Sequence, residues 1–181
     1  MFKRTLGTVR FRCRLRTTIL SGAILLGAAP ALADIELRFD EGAPKDRFTL
    51  RNAGDCAIEN AEVTIDLSGS AGRLVFDVTG GGAGVEVFQP FEVVEGEGAL
   101  GALPEIGDGD DAVTLAVTSL APGAAIAFTI DVDDTLKVRE ITVTDSEIAG
   151  GTVRVSLPGT TVSGTFSGSN VVRVALRDCS G

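Results

Sequence analysis

From Ile35 onward, apolar and polar residues alternate along the chain with a period of two, the pattern of a strand with one buried face. Ile35, Leu37 and Phe39 alternate with Glu36 and Arg38, and Phe48 and Leu50 alternate with Arg47, Thr49 and Arg51. The same spacing predicts strands over 63–67, 113–117, 128–132, 141–143, 153–157 and 172–176. Between them lie residues suited to turns: Asn52 to Asp55, Ser68 to Ser70, Gly80 to Gly82, Gly107 to Asp110, Ala121 to Gly123, and Pro158 with Gly159. No stretch carries an apolar face of helical period and length. The number and spacing of strands, about ten or eleven in all, predict an all-β, two-sheet antiparallel β-sandwich, immunoglobulin-like or jelly-roll. The stretch from Gly96 to Asp111 lacks regular alternation and is expected to be a long surface loop.

The first 33 residues follow a different rule. Lys3, Arg4, Arg10, Arg12, Arg14 and Arg16 precede an apolar run from Ile19 to Ala29, and Ala31-Leu32-Ala33 then offers small residues to a signal peptidase. We therefore expect residues 1–33 to be a signal peptide and 34–181 a single exported domain beginning at Asp34. The apolar run is shorter than the roughly 20 residues a membrane-spanning helix needs, so no membrane span is expected. Six of the 16 basic residues and none of the 25 acidic ones fall in the signal, which leaves ten against 25 and a net charge of −15 for the rest. So acidic a chain, with its basic residues scattered, is not expected to bind nucleic acid. Solubility, cation binding, or both are favoured instead.

The chain contains no His, Trp or Tyr. Without His, Ser-His-Asp and Cys-His nucleophilic sites are excluded, and zinc sites of the usual kinds are disfavoured. Gly80 to Gly84 is not followed by the Lys-Ser or Lys-Thr of a phosphate loop. Ser70, Ser167 and Ser169 have no base, and Lys45 and Lys137 form no Ser-x-x-Lys arrangement. The expectation is a protein that is not an enzyme. A carbohydrate-binding module or a carboxylate-based glycan enzyme is the alternative, although sugar sites commonly use aromatic faces. A module that assembles other exported proteins through an open sheet edge is a third reading. Phe88, Pro90 and Phe91 are expected to pack at a strand corner, with an exposed, ligand-contacting pair of rings as the alternative.

Carboxylates and cysteines remain. Alternation over Phe128 to Asp134 sends Phe128, Ile130 and Val132 inward and puts Asp131 and Asp133 together on the other face, next to Asp134. If the strand over 113–117 pairs with this one as a hairpin through Ala121-Pro122-Gly123, then Asp108, Asp110 and Asp111 arrive at the same end. Gathered carboxylates repel unless a hard cation neutralises them, and calcium takes six to eight oxygens. Asp131, Asp133, Asp134, Asp108, Asp110 and Asp111 are thus the candidate calcium ligands, although no EF-hand loop is present, and a solvated acidic rim is the alternative. Cys13 would leave with the signal, and the remaining Cys56 and Cys179 are expected to form one disulfide in an oxidising compartment.

Several segments together, Glu41 to Phe48, Asn52 to Cys56, Leu74 to Asp77, Val85 to Phe91, Phe128 to Asp134 and Asp145 to Gly150, resemble the small exported bacterial proteins labelled aggregation factor core, after a sponge cell-adhesion component. The resemblance implies an extracellular protein with a calcium-dependent adhesive role and no catalytic residues. The combined expectation is an exported, non-catalytic β-sandwich at the cell surface, in the periplasm or in the medium. Its expected partners are other exported proteins or surface glycans.

Overall fold

The computed structural model describes residues 33–80, 88–136 and 142–176. Among these residues eleven strands form: β1 (Ala33–Asp40), β2 (Asp46–Asn52), β3 (Ile58–Asp66), β4 (Val75–Phe76), β5 (Glu92–Glu95), β6 (Ala112–Leu120), β7 (Ala125–Ile130), β8 (Val132–Asp133), β9 (Thr152–Leu157), β10 (Thr160–Thr165) and β11 (Val171–Leu176). A single 3-10 turn at Glu97–Ala99 interrupts the long loop before β6. Among the described residues no helix is long and apolar enough to cross a membrane.

Two antiparallel sheets pack face to face as a β-sandwich. One has the order β11-β1-β2-β7-β5, the other β10-β9-β3-β6, and β4 with β8 forms a two-stranded piece at one end. The alternation in the sequence explains the packing. Ile35, Leu37, Phe39, Phe48, Leu50, Ile126, Phe128, Val172 and Val174 from the first sheet face Val63, Ile65, Val113, Leu115, Val153 and Val155 from the second, all of them buried. Phe48 lies between Phe39 and Phe128, with ring centroids 4.9 and 5.2 Å away, and forms an aromatic spine across β1, β2 and β7. Charged residues in the opposite phase decorate the outside of this sheet and pair across strands. Arg173 bonds Glu36 and Arg47 bonds Glu95, while Lys45, just before β2, bonds Glu92.

Asn52 keeps the inward phase of Phe48 and Leu50 but is polar, and it is fully buried. Its amide donates to the carbonyls of Cys56 and Leu120, both at 2.8 Å, and its Oδ1 accepts the Gly54 amide at 3.0 Å. One side chain thereby satisfies the backbone where the chain leaves β2 for the other sheet and where β6 ends.

Three sequence expectations need correction or qualification. The turn at Ala121 to Gly123 does not join a hairpin: β6 pairs with β3 in one sheet and β7 with β2 in the other, so the turn carries the chain across the sandwich. The strand over 141–143 does not form at its described end. Val143 is buried but lies outside any strand, and Ile141 lies outside the described residues. Phe88 does not pack as a core ring, being 40% exposed, whereas Phe91 is half-buried with its centroid 4.8 Å from that of Phe128. The signal segment, residues 1–32 of it, and Cys179 lie outside the described residues.

Candidate cation site

The sandwich end formed by β4 and β8 gathers carboxylates. Strand β7 stops at Ile130, and the chain resumes as β8 after one residue, with Val132 opposite Phe76 and Asp133 opposite Val75. Asp131, in that break, receives the Asp77 amide on its carbonyl at 3.1 Å. Gln89 then ties both residues together, donating its amide to the Asp77 carbonyl and accepting the Asp131 amide, each at 3.2 Å. The turn before β6 docks against β4 through Phe76 N to Asp110 O and Gly109 N to Phe76 O, both 2.8 Å. Backbone pairing alone therefore brings four separate segments to one point.

One carboxylate oxygen from each of Asp77, Asp131 and Asp133 falls in a group whose members all lie within 4.8 Å of one another. That spacing suits oxygens sharing a calcium ion at 2.3–2.6 Å. Asp77 is 1%, Asp133 4% and Asp131 9% exposed. The Asp77 Oδ1 is buried and has no hydrogen-bond partner; among the described residues only the Thr129 hydroxyl shares that condition. An unpartnered oxygen on a buried acid is costly because burial removes its water, and the neighbouring carboxylates of the group add repulsion.

The protonation equilibria register the strain. Burial first, then the charges of Asp133, Asp46 and Asp77, push the Asp131 carboxyl up to about 7. Burial and contact with Asp108 push Asp77 up to about 6. Asp46 is pushed up to about 7 mainly by burial, which outweighs two amides that favour its charged form. The ion pairs between described residues, at Arg38, Lys45, Arg47 and Arg173, do not involve Asp46, Asp77 or Asp131.

The six acidic residues singled out from sequence have different fates. Asp131 and Asp133 share the cluster, as their common strand phase implied, but they are buried next to β4 rather than on an open face. Asp108 reaches Asp77, and its Oδ1 accepts the amides of Val78 and Thr79 at 3.1 Å each. Asp134 is buried, with its Oδ1 on the Leu136 amide at 2.9 Å. Asp110 is exposed and closes its own turn through the Gly107 amide at 2.6 Å, and Asp111 is exposed. None of Asp108, Asp110, Asp111 and Asp134 contributes to the group of converging oxygens, although Asp108 contacts Asp77.

Two acids were not anticipated. Asp46 lies in the same phase as Phe48, Leu50 and Asn52, so the alternation of β2 already pointed it inward; an acid in a core phase was the available signal. Asp77 directly follows the apolar run Leu74 to Phe76, but its strand has only two residues, too short for alternation to register. Comparison with protein-family models, with curated proteins and with solved structures finds no match to this chain.

Proposed function

We propose that the chain is a non-catalytic β-sandwich that binds a hard divalent cation, calcium foremost, through Asp77, Asp131 and Asp133, and that it serves calcium-dependent adhesion or aggregation outside the cytoplasm. The observation carrying this reading is the convergence of three buried carboxylates, of which Asp77 also has a buried oxygen, Oδ1, without a hydrogen-bond partner. A cation would supply the missing partner and relieve the mutual repulsion. The adhesive half rests on the sequence resemblance and on the export signal. A bridge between Cys56 and Cys179 belongs to the same reading, as does a mature N-terminus at Asp34. Other exported proteins or surface glycans are the proposed partners.

Ligation by the native state alone raises stability by about 2.7 kcal/mol when free calcium is a hundred times its dissociation constant. The melting temperature should therefore rise with millimolar calcium more than with magnesium at equal ionic strength, since magnesium demands a regular octahedron and surrenders its water reluctantly. Joint replacement of Asp131 and Asp133 by Asn should abolish the difference. Equal effects of the two ions, or an undiminished calcium effect in the double variant, would remove the cation site. Beads coated with the protein should cluster in calcium and disperse in EGTA; clustering indifferent to calcium would remove the adhesive role and leave ion binding standing. Turnover of a glycosidase, esterase or peptidase substrate, lost on replacing one carboxylate, would overturn the non-catalytic assignment.

A further inference from the structure

We infer that Asp46 is a positioning and charge-supplying residue of the cation site, setting its affinity without touching the ion. The inference rests on the cation-binding reading above. Asp46 opens β2 and is 4% exposed. Both of its oxygens are already engaged by backbone: Oδ1 accepts the Gly42 amide at 3.1 Å and Oδ2 accepts the Val132 amide at 2.9 Å. Val132 is the residue between Asp131 and Asp133, so this hydrogen bond holds the short segment from which two of the three ligands project. Strand pairing fixes the arrangement further, because Asp46 stands opposite Ile130, the last residue of β7.

The same carboxylate has an electrostatic role. Asp46 is close enough to Asp131 for their charges to interact, and Asp133 acts on Asp46 in turn. A neutral Asn in its place has one acceptor oxygen and serves only one of the two amides, so the charge and the second hydrogen bond are lost together. A buried anion beside other buried anions adds repulsion in the empty protein, and it adds attraction once a dication is present. Asp46 thus trades stability of the empty site for affinity of the filled one. The ligand class follows: three converging carboxylates with a fourth charge behind them favour a multivalent hard cation over sodium or potassium.

The two roles are separated by measuring calcium affinity by titration calorimetry and melting temperature in EGTA, both at pH 8, on the exported form of the chain. Asp46→Asn keeps an acceptor for one of the two amides and removes the charge. Calcium should bind on the order of tenfold more weakly in this variant, since loss of one nearby charge changes the interaction of a dication by that order. Its melting temperature in EGTA should not fall in proportion, because relief of repulsion offsets the lost hydrogen bond. Asp46→Glu keeps the charge while displacing the hydrogen bonds, and it should bind calcium more tightly than Asp46→Asn. Unchanged affinity in Asp46→Asn overturns the inference, and so does weaker binding in Asp46→Glu than in Asp46→Asn. A parallel loss of affinity and EGTA melting temperature in Asp46→Asn overturns it too, leaving Asp46 a purely structural residue. Absence of calcium binding by the unaltered protein fails the cation reading itself.

Discussion

Raising the pH from 5 to 8 in EGTA should destabilise this protein. Asp46 and Asp131 are raised from 3.8 to about 7 and Asp77 to about 6, in each case chiefly by burial. In the native state each carboxyl therefore holds its proton at a pH where the unfolded chain has released it. The resulting stabilisation is complete below the ordinary carboxylate range and disappears as pH climbs through the folded values near 6 and 7. For Asp46 alone, linkage between a native value near 7 and an unfolded value of 3.8 gives a loss of about 2–3 kcal/mol between pH 5 and pH 8. Asp131 and Asp77 act in the same direction. Urea denaturation at fixed ionic strength, read at one-unit steps of pH, measures the slope directly. Saturating calcium should flatten or reverse it, because an ion favours the ionised carboxylates that protonation would otherwise neutralise. Stability that is constant or rises from pH 5 to 8 in EGTA would refute the premise that these acids are buried together.

Asn52→Asp should cost about 3 kcal/mol or more, because the carboxylate cannot donate to the Cys56 and Leu120 carbonyls and leaves both unsatisfied; a thermal melt within a degree or two of the parent would count against this account of the crossover. Titration of the denatured, unreduced exported protein should find no free thiol if Cys56 and Cys179 are bridged, and replacing both should cost about 2–5 kcal/mol. Intact-mass measurement of the exported protein should give a chain starting at Asp34, and a retained leader or a different first residue would exclude that cleavage site.

The sandwich was legible wherever one face of a strand is apolar and the other polar. Strands β1, β2, β9 and β11 keep their buried residues in the inward phase throughout, whereas β3 and β6 slip phase at Ile58 and Leu120 and β7 also buries Ala127 on its other face. Strand β10 was not legible, because Thr160 to Thr165 is a run of small polar residues with one Val and one Gly; its pairing with β9, not its own pattern, makes it a strand. Val143 fails in the converse way, since burial can be met by a loop folded over the core. The site was half legible for a related reason. The common phase of Asp131 and Asp133 is local information, but Asp77 joins them only through the pairing of β4 with β8, which no local pattern announces. The expected route for Asp108, a hairpin between β6 and β7, was wrong, yet Asp108 still reaches Asp77, outside the group of converging oxygens. Strand β6 begins and β7 ends at the same end of the molecule, in opposite sheets.

The converging carboxylates come from distant parts of the chain: Asp77 follows β4, whereas Asp131 and Asp133 flank Val132, and the entire loop before β6, strand β6 and strand β7 lie between them. An unfolded or partly folded chain therefore has nothing resembling the assembled site, which exists only after β4 has found β8. The local hairpins β1-β2 and β9-β10 close over far shorter spans and are the contacts expected to form early. A bound ion would then be felt almost wholly by the finished fold. It would slow unfolding while leaving the rate of folding nearly untouched, so calcium would act on the lifetime of the native molecule rather than on its formation.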